Sequence, residues 1–354
     1  MSGHGFGHFA QVAPVIGQLH QRCSNLQLHI SCALPRSVLS QRLSCAFSHT
    51  QQAYDVGLVQ PDPMIVDLDA TAEALRQKQA NRTRDLEALC SDLSDWKPDL
   101  VLADIPDLPL AAAQRLKIPS VAIASLTWVD VIQAYFPNDD PQVQGWLDTM
   151  RESYAAVTMA LRPEPVIVAE LFDNPQPIPA IVEPGRNKRL ALRGALGIGV
   201  DDARPLVLVS LGGIPSQQLP LDQLARERGY YWIMDRQNET NRANIFSASS
   251  VSGFTFADIS ASVDAVVGKP GYNMTVESVA HGVPFLYVCR GTFPDEAPLC
   301  AWLDRYGRGL ELDTARFSRG EWADGLNALL HRKQPEPPPL NGAEVAAQKC
   351  IDLI

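Results

Sequence analysis

Short apolar runs alternate with amphipathic helical stretches in two blocks of this chain, and a proline-rich segment separates the blocks. This alternation narrows the possible folds more than any other feature. In the first block, strand patterns at 26–34, 99–103 and 120–124 interleave with helical periods at 9–19, 70–93 and 108–116, and two more helices are expected after Trp128 and over 141–161. In the second, strand patterns at 205–211, 230–234, 264–267 and 284–288 interleave with helices at 275–281, 294–304 and 319–331. Such order implies βαβ units and parallel sheets buried on both faces. The intervening stretch 162–187 holds six prolines and few periodic apolar positions. The expected fold class is therefore α/β, with two Rossmann-like domains. Their expected bounds are 1–165 and 188–334, with 166–187 as linker, a short strand at 166–168, and a closing helix within 340–354 that returns to the first domain.

The chain opens on Gly3-His4-Gly5-Phe6-Gly7-His8 and then enters a helix with Val12, Val15, Ile16 and Leu19 on one face. A glycine-rich turn feeding a helix start is suited to an anion. Backbone N–H groups can approach the ligand, and the helix end adds roughly half a positive charge. Such a loop normally follows a buried strand. Only Met1 and Ser2 precede Gly3, so that first strand is missing here. The expectation is a coding start further upstream, with roughly five to eight apolar residues ahead of Met1.

A net charge of −10 argues against a general nucleic-acid surface, but leaves room for a local basic pocket. No apolar run approaches the ~18 residues of a membrane span. The seven cysteines, Cys23, Cys32, Cys45, Cys90, Cys289, Cys300 and Cys350, form no CxxC pair and read as reduced, mostly buried thiols of a cytoplasmic protein. His4 and His8 stand four apart, but no third ligand with metal spacing accompanies them, so no metal is expected.

Several segments now carry a family resemblance. Residues 268–284, Gly-Lys-Pro-Gly-Tyr-Asn-Met-Thr-Val-Glu-Ser-Val-Ala-His-Gly-Val-Pro, resemble the donor-nucleotide motif of GT-B glycosyltransferases, including the MurG-type enzymes. Ser2 to His8 is similar to their acceptor-domain loop. More specifically, four segments resemble the GT-B-like region at the N-terminus of plant L-arabinokinases and its free-standing bacterial relatives. These are the Ser-Gly-His-Gly-Phe-Gly-His loop, Asp55-Val-Gly-Leu-Val-Gln60, the run 118–128 ending in Trp128, and Phe293-Pro-Asp-Glu-Ala-Pro298. The sugar-kinase domain of those plant proteins is absent, so no kinase activity carries over.

The resemblance implies two lobes facing across a cleft, with a nucleotide-sugar on the second and an acceptor hydroxyl on the first. The implied reaction is metal-independent glycosyl transfer, with the nucleotide-sugar as substrate and no cofactor. The alternatives are a nucleotide-sugar epimerase and a non-catalytic binding module. A lipid-linked acceptor would bring peripheral membrane contact. On this reading Glu277 binds the donor ribose, against the plain reading of a solvated helix residue. Gly271, Tyr272, Asn273 and Met274 form the phosphate-facing helix start. Lys269 either adds a cation there or is simply exposed. Gly212 and Gly213 admit the phosphates or only shape a strand exit. Asp295 and Glu296 meet sugar hydroxyls or oppose a helix dipole. His8 is the expected general base, since an imidazole titrates near neutral pH; otherwise it only contacts a phosphate. His4, Gly5 and Gly7 complete that loop. Asp104 orients His8, binds the acceptor or caps the next helix. Trp128 stacks on a sugar or fills the core. Arg290, after Cys289, pairs with phosphate or carboxylate. His8 and Glu277 are expected to face one shared crevice.

Overall fold

Two parallel-sheet lobes organise the chain, each with helices on both faces of its sheet. The computed structural model describes residues 1–4, 6–136, 140–167, 171–212, 219–235 and 242–354. In the first lobe the elements run α1 (Gly7–Arg22), β1 (His29–Cys32), α2 (Arg36–Leu39), β2 (Ser48–Gln51), α3 (Leu68–Trp96), β3 (Val101–Ala103), α4 (Leu108–Leu116), β4 (Ser120–Ile123), α5 (Trp128–Tyr135), α6 (Pro141–Ala155), β5 (Met159–Pro163) and β6 (Pro175–Ile178). The second lobe continues with α7 (Arg189–Ala195), β7 (Leu206–Ser210), α8 (Leu221–Arg226), β8 (Tyr231–Met234), β9 (Ile245–Ser247), α9 (Phe256–Ser262), β10 (Ala265–Gly268), α10 (Tyr272–His281), β11 (Phe285–Tyr287), α11 (Glu296–Tyr306), β12 (Gly309–Glu311), α12 (Thr314–Arg319) and α13 (Ala323–Leu330). The last helix is α14 (Gly342–Ile351).

The second sheet has the order β12-β11-β10-β7-β8-β9, all parallel. Its core follows the period of two that strands impose. Leu206, Leu208, Ile233, Val266 and Phe285 pack on one face; Val207, Val209, Trp232, Val267 and Leu286 pack on the other. From β7 the chain winds outward through β8 and β9, then starts again at β10 and winds the opposite way. The crevice beyond the ends of β7 and β10 is therefore the switch point where open α/β sheets receive ligands. Gly212 follows β7 there, and Lys269 to Gly271 follow β10.

Three sequence expectations give way to local chemistry. The helix expected over 141–161 ends at Ala155, and Met159 to Pro163 become β5. No strand forms at Val166 and Ile167, and Val168 lies outside the described residues. Instead β6 forms within the stretch expected as linker and pairs with β5 at the sheet edge, where its prolines leave no inner ladder bond unmade. The helix expected over 319–331 divides into α12 and α13, because Gly320 adopts a left-handed conformation (φ +72°) and stops α12. Gly282 (φ +65°) ends α10 in the same way, as its position after the helical period implies. Helix α14 lies against α1 and β6, burying Ala343, Ala346, Ala347 and Cys350 with Val15 and Ile178.

The first lobe's sheet is in two pieces: a pair β1-β2 and a four-stranded set β3-β4-β5-β6. Met1 and Ser2 sit between them. The Met1 ammonium donates to Ser31 O (2.9 Å), and the Ser2 N–H donates to Asp104 O (2.9 Å). Consecutive residues bonding to opposite sides is how a strand inserted between two others behaves. The facing edges of β1 and β3 have no other strand partner among the described residues. Leu28, Leu100 and Leu102 beside this slot are only partly buried. An extension of about five β-branched residues fused directly ahead of Met1 should therefore fill the slot and raise Tm by roughly 4 °C or more. The same extension interrupted by prolines should leave Tm unchanged in a thermal melt.

Candidate functional site

Both lobes bring a helix N-terminus to the cleft between them, and the two helix starts touch. The Asn273 side-chain N–H of α10 donates to Gly7 O of α1 at 2.8 Å. Neither helix has a side-chain cap: the N-cap positions are Phe6 and Gly271. Among the described residues, the N–H groups of Gly7 and His8 in α1 and of Tyr272, Asn273 and Met274 in α10 have no acceptor, as the first turn of a helix leaves them. Gly5 and Gly213, expected in the two ligand loops, lie outside the described residues.

His8 stands in the first turn of α1. Its Nδ1 and Asp104 Oδ1 are 3.1 Å apart. Asp104 follows β3 and is fully buried, and its other oxygen has no partner among the described residues. Burial alone would depress the His8 pKa, but the Asp104 charge and hydrogen bond outweigh it and raise it above 6.5. With Nδ1–H donating to Asp104, Nε2 is left to accept a proton. Asp104 does not cap the following helix; the N-cap of α4 is Asp107.

The backbone behind Asp104 is strained. Ile105, a β-branched residue, is held at φ +63°, and Tyr154 Oη donates to its carbonyl at 2.5 Å. Ser2 N–H holds the Asp104 carbonyl from the other side. The carboxylate is thereby aimed by three backbone constraints. Tyr154 and Ile105 carry no sequence signal for this role.

The segment 55–60 closes the His loop. Trp128 donates its indole N–H to Asp55 Oδ2 (2.7 Å), and His4 Nε2 lies 3.1 Å from Gln60 Oε1. Gly57 (φ +68°) fits because a Cβ there would meet His4 and Trp128 at 2.8 Å. Trp128 is 3% exposed and its ring borders both histidines, at 5.5 Å from His4 and 6.1 Å from His8. Its indole is a wall of the site rather than an open stacking platform. Behind it lies a cavity lined by Tyr54, Leu75, Ile132, Trp146 and Met150, with Lys78 and Arg82 among its polar walls. Burial, reinforced by the His8 charge, pulls the His4 pKa down to about 4, so His4 is neutral near pH 7.

On the second lobe Lys269 is half-buried and its chain lies against Gly212 (φ +85°), where an added Cβ would stand 3.3 Å from the Lys269 Cε. Burial first, then the Arg290 charge, lower its pKa to about 8. The Asp62 charge of the first lobe is near enough to act on it, and its own charge helps keep His4 neutral. Asp295 is half-buried, its Oδ1 is enclosed without a hydrogen-bond partner among the described residues, and desolvation pushes its pKa up to about 6. Arg290 Nη2 approaches that oxygen at 3.7 Å. Glu296 has a different occupation: it accepts the N–H of Arg290 and of Gly291 and pairs with the Arg290 guanidinium at 2.6 Å. Arg290 is thus committed to carboxylates of its own loop. Tyr272 also turns inward, donating to Glu164 O (2.9 Å) and accepting from Ile181 N–H (3.0 Å). Only its backbone N–H remains for a ligand.

Glu277 is not solvated. It is 4% exposed, lies on α10 near Ser260 of α9, and its Oε2 has no hydrogen-bond partner among the described residues. Burial raises its pKa to about 7 against the pull of Arg42. Arg42, from the first lobe, is ion-paired with Glu183 of the connecting segment. His8 and Glu277 thus belong to helices whose starts meet, with Arg42 and Glu183 beside Glu277. Among the described residues, no group of three or more His, Cys, Asp or Glu is placed to hold a metal ion, and no helix is long and apolar enough to cross a membrane.

This architecture, two Rossmann-like lobes with parallel sheets and a cleft at their switch points, is the GT-B fold of glycosyltransferases. A UDP-glucosyltransferase from Polygonum tinctorium superposes with a TM-score of 0.61 at 12% identity, covering 99% of this chain and 96% of that one. The calicheamicin glycosyltransferase CalG4 gives 0.58 at 15% identity, over 99% and 91%. The spinosyn rhamnosyltransferase SpnG in complex with thymidine diphosphate gives 0.56 at 16% identity, over 100% and 94%. In sequence the chain is distantly related to L-arabinokinase of Arabidopsis thaliana, 26% identical over 350 residues and 98% of this chain. It spans 33% of that protein's length. No family model matches the chain.

Two titrations test this geometry. Asp104→Asn removes the largest influence raising the His8 pKa and leaves desolvation against only the weaker Asp55 charge, so the His8 pKa measured by NMR should fall below 6.5. In the wild type, the His8 contribution to stability is present below pH 6.5 and is lost as pH rises through the raised folded value. Glu277 contributes with the same sign through the neutral acid. The folded chain keeps a proton that the unfolded chain releases between pH 4.5 and about 7, so stability falls as pH rises through that window. Urea denaturation should find Glu277→Gln more stable than wild type at pH 8, by up to roughly 3 kcal/mol, and no different at acid pH.

Proposed function

We propose that this protein transfers a glycosyl group from a nucleotide-sugar held by the second lobe, 188–334, to a hydroxyl presented by the first, 1–165. The observation that carries the reading is the His8–Asp104 pair facing a second lobe whose Lys269 and uncapped α10 start offer an anion site. The N–H groups of Tyr272, Asn273 and Met274, with Lys269 against Gly212, take the diphosphate. Glu277 takes the ribose hydroxyls once Arg42 and Glu183 move aside. Asp295 meets a sugar hydroxyl through its unpartnered oxygen, and Glu296 and Arg290 hold that loop in shape.

The acceptor lies over His4 and His8, its apolar part toward the cavity behind Trp128. His8 Nε2 removes the acceptor proton as the oxygen attacks the anomeric carbon. Asp104 keeps Nδ1 protonated and stabilises the imidazolium that forms. The bond from the anomeric carbon to the diphosphate breaks, and the charge appearing there falls on the α10 N–H groups and Lys269. Holding donor and acceptor together supplies the entropic part of the rate.

The test is a panel of nucleotide-sugars with and without hydroxyl acceptors. Nucleotide release that depends on an acceptor is expected. Tight binding without turnover would instead mark a binding module, and sugar isomerisation an epimerase; either result sinks the transfer reading. Lys269→Ala should weaken uridine or thymidine diphosphate binding by roughly 10-fold in calorimetry. His8→Ala should leave that binding intact and cut transfer by about 10²-fold or more.

A further inference from the structure

The sequence spaces Cys289 and Cys300 eleven apart, which matches no redox motif, yet the fold brings their sulfurs to 3.7 Å. Cys289 follows β11, and Cys300 stands in the second turn of α11. Both are partly exposed, whereas Cys32, Cys45, Cys90 and Cys350 are buried. Between the two runs the loop that carries Arg290, Phe293 and Asp295. That loop reaches the first lobe: Tyr135 Oη lies 3.0 Å from Thr292 Oγ1, and Phe293 packs on the first lobe's core. A disulfide needs sulfurs about 2.05 Å apart, so side-chain rotation must close roughly 1.7 Å.

We propose that Cys289 and Cys300 form a reversible disulfide, made by a low-molecular-weight disulfide oxidant, that ties the 289–299 loop down and alters its grip on the ligand cleft. The chemistry balances. The Cys300 thiolate attacks one sulfur of the oxidant and expels a first thiolate. Cys289 loses its proton and attacks the Cys300 sulfur of that mixed disulfide, expelling the second. The protein gives up two electrons and two protons, and the oxidant becomes two thiols. The sulfur–sulfur contact, with the Tyr287 hydroxyl beside it, holds the Cys300 pKa below the usual thiol range against the cost of burial, which makes Cys300 the attacking sulfur.

The bond draws the end of β11 toward α11. Arg290 adjoins Cys289, and Glu296 lies one helical turn before Cys300, so their pairing and the Asp295 position beside it shift together. The effect on ligand rests on the functional reading above; the cross-link itself does not.

The full chain is treated with glutathione disulfide at pH 8, and partly exposed Cys23 serves as the internal control for modification. The expected result is a mass decrease of two hydrogens at this pair. A linked Cys289–Cys300 peptide should appear in a proteolytic digest, and dithiothreitol should reverse both. Cys289→Ser should instead leave Cys300 carrying a stable glutathione adduct, with an unchanged circular dichroism spectrum. Uridine diphosphate affinity should change at least about 3-fold on oxidation and recover on reduction. The disulfide is ruled out if Cys23 is modified while the pair stays free or carries two separate adducts. Cross-linking with unaltered affinity overturns the control of the cleft. If neither form binds uridine or thymidine diphosphate, the functional reading fails while the mass result still decides the disulfide.

Discussion

Two helices aim their positive ends at the same space, and most of the cleft follows from that opposition. Each uncapped start carries roughly half a charge, so bringing them together costs energy in an empty site. The Asn273 to Gly7 bond holds them there all the same. Lys269 adds a third positive group. The acidic groups around it are Asp62, Asp295 and Glu296, and Glu296 is already engaged by Arg290. On the proposed function, the concentrated negative charge of a diphosphate completes this balance better than any side chain present.

The basic group of the first lobe depends on backbone held under strain. An Ile at positive φ is an expensive conformation, on the order of 1–3 kcal/mol, and persists only where its surroundings impose it. Here Tyr154 grips its carbonyl and Ser2 grips that of Asp104. The result is a buried carboxylate with one oxygen on His8. Strain spent on aiming an acid at an imidazole is hard to explain by packing alone, since an ordinary turn would bury Ile105 equally well.

Much of this was legible in the sequence. Short continuous apolar runs located β7, β8, β10 and β11, because strands buried on both faces admit little but apolar residues. The glycine after the 275–281 period fixed the end of α10. The edges were less legible: β2 is Ser-His-Thr-Gln and β6 is Pro-Gln-Pro-Ile, so neither shows the apolar signature of a central strand. Around the cleft, sequence could name His8, Asp104, Lys269 and Asp295, and offered the Asp104 to His8 pairing only as one of three readings for Asp104. What selects that reading is a bond across 96 positions, and the Arg42 to Glu183 pair, which spans 141, was not foreseen; no local pattern carries that information.

Motif position and side-chain duty also part company in a systematic way. Tyr272, Asn273 and Glu296 lie in segments that resemble donor-binding motifs, yet each side chain is spent inside the protein. Tyr272 pins the connecting segment, Asn273 crosses to α1, and Glu296 braces Arg290. The first two therefore fasten the start of α10 to the first lobe and to the connecting segment. A ligand that shifts the start of α10 must disturb the Gly7 and Glu164 contacts as well. On the proposed function, ligand occupancy and lobe position become one equilibrium, because the same turn of helix that fastens the lobes would also supply the bonds to the ligand.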